Sequence, residues 1–249
     1  SANIRAASIE EMVSCTAIVI TAGRGGKPGE SRLDLLKENI KIARDISGKL
    51  KGFGGMLIIV SNPVDVLTYY YQKFTGLPVE KVIGTGTMLD TARLRDYISK
   101  QINIDTKSIH ANVIGEHGDS EVAIWSRAMI GNVSLRSWEG WQRSYEQHIG
   151  EKVRTAAYEI IRRKGSTNHA IGLVTATLLK WILRGDRRIV NVSTVMNGPY
   201  ELEEVALSLP SIISERGVEK VLEIELHEDE YKALMKSAEV LKRAIASVK

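Results

Sequence analysis

The sequence holds one cysteine, Cys15, which excludes an intrachain disulfide and any cysteine-built metal cluster and points to a reducing compartment. Cys15 itself reads as a small buried hydrophobe rather than a nucleophile. No run approaches the roughly 18 apolar residues that span a bilayer, and no charged segment followed by an apolar one opens the chain. No membrane is therefore expected as a partner, and the cytoplasm is the expected location. Blocks of like charge are also missing: 34 basic and 30 acidic residues are interspersed, so the net +4 offers nucleic acid no basic arm. With few breakers, only five prolines, the 43% of hydrophobic residues can bury a substantial core in one large or two smaller domains.

What is present first is a rhythm. Residues 16–20 (TAIVI) and 56–60 (MLIIV) are short, β-branched apolar runs that read as buried strands. Between them, apolar residues recur at three- and four-residue spacing from 32 to 50, an amphipathic helix with Gly52 just beyond its end. A helical stretch follows SNP at 61–63, a third short strand is expected at 81–83, and a helix from 88 to 102. Alternating strands and helices predict crossovers that build a parallel sheet. Beyond Ile109 the texture changes to one strand ending at Ile114, helices near 139–164 and 169–184, β-rich text from 187 to 226, and a final helix at 228–247. The expected class is α/β: the C-terminal part of a Rossmann-type parallel-sheet domain (residues 1–105), then an α+β catalytic and substrate domain (106–249).

Four segments carry chemistry. IGEHGDSE at 114–121 places His117 between glycines, which allow tight turns and the close approach of a ligand to the imidazole. GTGTMLDTARLR at 84–95 puts Asp90 and Arg93 three apart on a presumed helix. Such a spacing can be an ordinary intrahelical ion pair, or Asp90 can orient an imidazole while Arg93 offers a planar fork to a carboxylate. KPGESRLDL at 27–35 is either a plain connection or a lid that brings Arg32 against a carbonyl oxygen. VSNPVD at 60–65 sets Asn62 at a strand's end, with Pro63 opening the next helix.

In this order and at these separations, the segments resemble the L-lactate/malate dehydrogenase family, from ITAG at 20–23 through KGSTNHAIG at 164–172 to SLPSII at 208–213. The resemblance implies a hydride exchange between a nicotinamide cofactor, NAD with NADP left open, and a small 2-keto or 2-hydroxy acid, in a homo-oligomer of two or four copies. It implies that His117 exchanges a proton with the substrate oxygen, supported by Asp90, that Arg93 holds the substrate carboxylate, and that Arg32 polarises the carbonyl. Asn62 would contact substrate and nicotinamide. Thr21, Ala22, Gly23, Asn39, Val60 and Ser61 would line the cofactor path, and Thr167 would border the substrate side-chain pocket.

The chain departs from the family pattern in two places. The family's opening strand and GxGxxG turn are not found, and residues 16–20 resemble its fourth strand, so an upstream segment of about 60 to 75 residues is expected in the natural protein. The residue before Lys27, Gln in lactate enzymes and Arg in malate enzymes, is Gly26 here. Glu30 is lactate-like, but Arg24 on the same loop could meet a second carboxylate, which tips the expectation toward malate and oxaloacetate. The rival readings are L-lactate dehydrogenase, a truncated assembly subunit without catalysis, and an NAD-dependent glycosidase, the last disfavoured because Cys15 lies far from His117 in the sequence.

Overall fold

The computed structural model describes residues 3–25 and 31–248. Three parallel strands, β1 (Ala17–Ile20), β2 (Met56–Ile59) and β3 (Val82–Gly84), pair in the registers Ile18 with Leu57 and Leu57 with Val82. Two helices connect them, α1 (Arg32–Lys49) and α2 (Val64–Thr75). The Ser31 side chain accepts the Asp34 N–H at 3.1 Å to begin α1, and Gly76 in the left-handed region (φ 67°) ends α2. Because side chains alternate across a strand, Leu57 and Ile59 enter the core on one face of the sheet and Ile58 the core on the other. Each of these fully buried side chains stabilises the fold by roughly 1.5–3 kcal/mol.

The chain continues through α3 (Met88–Ile102), β4 (Ile109–Ile114), β5 (Val122–Ile130) and β6 (Val133–Ser134), then α4 (Arg143–Lys164) and α5 (His169–Arg184). It closes with β7 (Arg188–Asn197), β8 (Glu203–Ser214), β9 (Gly217–Val221) and α6 (Glu228–Ala246). Strands β4, β5 and β6 form a small antiparallel sheet, and α3 packs its Leu94 and Ile98 against Ile109, Ala111 and Val113 of β4. The helix that carries Asp90 and Arg93 thus shares a core with the strand that leads to His117. Among the described residues no helix is long and apolar enough to cross a membrane.

Three features differ from the sequence reading. The β-rich text after residue 187 adds to the first sheet: β7, β8 and β9 extend it, in the order β1-β2-β3-β7-β8-β9. The join is one antiparallel pair, Gly84 with Ser193. Residue 84 must be glycine for it, since a Cβ there would lie 2.3 Å from Thr68 Oγ1 and 3.0 Å from Ser193 Cβ. Strand β5 was not expected because its inward-facing slots, buried at Val122, Ile124, Ala128 and Ile130, are interrupted by the polar Ser126. Glu230 of α6 explains that residue: its Oε1 accepts the Ser126 N–H at 2.9 Å and its Oε2 the Ser126 hydroxyl at 2.5 Å. Finally, Cys15 is exposed, because it sits in the turn that precedes β1 rather than in the strand.

The contact at Gly84 makes a prediction. Gly84→Ala should destabilise the protein by about 1–3 kcal/mol through overpacking of α2 against β7, read as a lower denaturation midpoint. A midpoint at the wild-type value would show that the strand and helix have room to separate.

Candidate active site

Each parallel strand delivers one segment to a common cavity at its carboxyl end, where open α/β sheets take ligands. β1 supplies Thr21; β2 supplies Val60, Ser61 and Asn62; β3 supplies Thr85 and Gly86. The cavity, of about 600 Å³, is walled on its other sides by Leu89 and Arg93 of α3, by His117, and by Thr167 with the facing ends of α4 and α5. A second cavity of about 620 Å³ adjoins it, sharing Asn62, Arg93 and His117 and adding Arg24, Glu121 and Arg154.

The loops are fastened by side chains that the sequence offered as cofactor contacts. The buried Asn39 accepts the Arg24 N–H at 2.9 Å and donates to the Arg24 carbonyl at 3.2 Å, so both ends of its amide hold the loop after β1. Ser61 Oγ donates to the Ala22 carbonyl at 2.6 Å. Gly23 lies between these fasteners, where a Cβ would stand 3.3 Å from Asn39 Oδ1 and 3.4 Å from Ser61 Cβ. Asn62 Oδ1 accepts the Val64 N–H at 3.2 Å, after a cis Asn62–Pro63 peptide, which leaves the amide NH2 as the group to meet a ligand.

The turn carrying His117 is anchored from both sides. Gly115, with φ of 85°, exchanges backbone hydrogen bonds with Ser208 of β8 at 2.8 and 2.9 Å, and the Glu116 N–H donates to Ser237 Oγ of α6 at 2.8 Å. The first turn of α3 is bolted to the same strands. Thr87 Oγ1 donates to the Val113 carbonyl at 2.6 Å, and the Thr87 N–H to Ser208 Oγ at 3.0 Å.

These anchors bring Asp90, Arg93 and His117 together. His117 Nδ1 is 2.5 Å from Asp90 Oδ2, and Arg93 Nη1 donates to Asp90 Oδ1 at 3.1 Å. The three-residue spacing thus makes the ordinary ion pair with Arg93, and the second oxygen of Asp90 meets the imidazole. Burial by itself would drive the proton off His117. The charge and hydrogen bond of Asp90 outweigh it, with help from Asp65 and Glu121, and the pKa rises to about 9. The imidazole is accordingly charged at neutral pH, with Nδ1 held toward Asp90 and Nε2 left for a substrate. Burial and the Asp90 charge push the Glu121 pKa upward in turn.

Of the residues named from sequence, Thr21, Val60, Ser61, Asn62, Arg93, His117 and Thr167 share the first cavity, and Arg24 and Asp90 line the second. Gly26 and the side chain of Arg32 lie outside the described residues. Sequence reasoning missed Asp65, which lies inside the quoted VSNPVD segment and accepts the His117 N–H at 2.7 Å. It also missed Glu121, the last residue of the quoted IGEHGDSE. For Ser237 the sequence carries no signal.

The comparisons agree with this geometry. Residues 2–84 match the family model described as lactate/malate dehydrogenase, NAD binding domain, and residues 87–249 match its alpha/beta C-terminal domain. The chain is 46% identical to an L-lactate dehydrogenase of Fervidobacterium nodosum, covering all of this chain and 82% of that protein. It is 41% identical to one from Synechococcus sp., covering 99% and 81%. The crystal structure of a minor L-lactate dehydrogenase from Enterococcus mundtii superposes with a TM-score of 0.94 at 37% identity, over 98% of this chain and 79% of that one. With both halves matched and the Asp90–His117 pair beside the cavity at the ends of the parallel strands, the chain belongs to the lactate/malate dehydrogenase family of oxidoreductases.

Proposed function

We propose that this chain carries the catalytic machinery of an L-lactate dehydrogenase, interconverting pyruvate and L-lactate with NAD. The observation that carries the reaction class is the cavity-facing imidazole held protonated by Asp90 beside a guanidinium. The preference for lactate over malate is supported by the relatives, which bear the name L-lactate dehydrogenase at up to 46% identity. It replaces the leaning toward malate that Arg24 suggested. Arg24, whose backbone is fixed by two hydrogen bonds from Asn39, lines the adjoining cavity, so the choice of lactate rests on the relatives rather than on this loop.

The cavity suits a nicotinamide ring. Its walls beside His117 are largely apolar, with Val60, Leu89, Ile171 and Leu179, and the Asn62 amide offers donors at its rim. Thr21, Gly23, Val60, Ser61 and Asn62 would hold the cofactor, which when bound supplies or accepts a hydride at the substrate carbon. The protein's own residues do the rest. Arg93 presents its remaining N–H groups to the substrate carboxylate while Nη1 stays on Asp90, so the anchor and the acid keep a common reference. His117 Nε2 delivers a proton to the keto oxygen as it becomes a hydroxyl, and Asp90 stabilises the charged imidazole before that step and fixes the tautomer after it. In the reverse direction the neutral imidazole takes the hydroxyl proton.

Comparing kcat/KM for pyruvate and oxaloacetate tests the substrate assignment. Pyruvate should be preferred by at least about tenfold if this chain shares the substrate that its relatives are named for. A preference for oxaloacetate would return the assignment to malate.

His117→Asn should lower kcat at least about a hundredfold while dinucleotide affinity changes little, because positioned acid–base catalysis contributes roughly 10²–10⁴. Turnover close to wild type would require a different proton donor.

The pH profile follows from the sign of the shift. With a pKa raised to about 9, pyruvate reduction should hold level through neutrality and fall as pH rises past that value, while lactate oxidation gains. Asp90→Asn should move both limbs to lower pH. The same shift adds stability below the unfolded value of about 6.5 that is lost as pH rises through the folded one. An Asp90→Asn profile superposable on wild type would refute the pairing.

A further inference from the structure

Asp65 occupies the first turn of α2, three residues beyond Asn62, and is 2% exposed. Its Oδ2 accepts the backbone N–H of His117 at 2.7 Å, whereas Oδ1 is buried with no hydrogen-bond partner. Ser193 Oγ on β7 is likewise buried and unpartnered; it lies near enough to ease the charge on Asp65 without closing a hydrogen bond. Holding one N–H needs only a neutral acceptor, and a half-satisfied buried carboxylate is a costly way to provide it. The charge must therefore contribute something further.

We propose that Asp65 is a positioning residue for proton transfer: its buried carboxylate ties the His117 backbone to the helical turn that carries Asn62, so the proton carrier and the cofactor-side amide keep one fixed separation. The inference rests on His117 being the proton carrier. The geometry is a closed frame. Asn62 caps the start of α2 through Val64, and Asp65, one residue on, reaches across to His117. A shift of either loop would have to break one of these hydrogen bonds. The charge acts on the imidazole as well. The groups that face His117 are Asp90 and Arg93 from α3, Asp65 from α2, and Glu121 just ahead of β5; Glu116 on the same turn lies against Asp65, and Arg154 of α4 offsets Glu121. Burial raises Asp65 to about 6, so above that pH it is ionised and favours the charged imidazole.

The test compares Asp65→Ala and Asp65→Asn in the intact enzyme, with His117→Asn as control. The readouts are pyruvate-reduction kcat from about pH 6 to 10 and dinucleotide Kd. Asp65→Ala should lower kcat by about tenfold or more with Kd within about twofold, since misplacing the acid by an ångström is enough for that loss. Asp65→Asn, which keeps an acceptor of the same shape, should restore kcat near neutrality to within about threefold of wild type yet move the alkaline limb to lower pH. Wild-type-like kcat in Asp65→Ala, or an alkaline limb unmoved in Asp65→Asn, would overturn the proposal. If Asp65→Ala does not fold, the alkaline limb of Asp65→Asn decides alone. A collapsed His117→Asn beside a normal Asp65→Ala fails this inference only, whereas an active His117→Asn fails the proton-carrier reading and this inference with it.

Discussion

Asp90 is a carboxylate taken almost wholly out of water, and its burial is tolerable only while His117 and Arg93 stand against it. Removing one partner of such an assembly leaves an uncompensated charge, at a cost of about 3–5 kcal/mol. The surroundings serve that requirement. Thr87 bolts the first turn of α3 to β4 and β8, Ser208 and Ser237 hold the histidine turn, and Leu94 and Ile98 seat the helix on the strand that leads to His117. Packing, polar anchors and electrostatics point to the same placement, and the three side chains meet because their backbones have few other places to be.

The six-stranded sheet gives that placement a rigid base. Its parallel half supplies the ligand-facing loops and its antiparallel half supplies Ser193 and Ser208, so the site is built where the two halves meet. Helices α1, α2 and α6 cover one face and α5 covers the other. The alternation at Leu57, Ile58 and Ile59 connects the layers through a strand of only four residues.

Much of this could be read from the chain because its signals are local. Apolar runs at 16–20 and 56–60, the helical spacing from 32 to 50, and the motif that holds Asp90 and Arg93 each act within a dozen residues. The meeting of Asp90, Arg93 and His117 was legible for the same reason, through glycines and spacing around His117. What escaped depends on partners far away in sequence. Ser126 reads as a break in a strand until Glu230, 104 positions later, supplies its bonds. The joining of β3 to β7 rests on a missing side chain at Gly84, and a glycine at a strand's end says nothing of which strand will approach it. Asp65 lay inside a recognised motif, yet its role needs the fold to bring residue 117 within reach of residue 65.

The fastening of the histidine turn by Ser237 bears on the order in which the molecule is assembled. Glu116 and Ser237 are 121 positions apart, and the helix that bears the serine follows the other described elements in sequence. A polypeptide made from its amino end can pair β1, β2 and β3 while α6 is still unmade, because those contacts close over short stretches. The turn that holds the imidazole meets Asp65 and Asp90 from the helices that precede it, and Ser208 from β8. Its bond to Ser237 closes only once α6 has docked, so the last fastening of the reactive group comes from the most distant stretch of sequence.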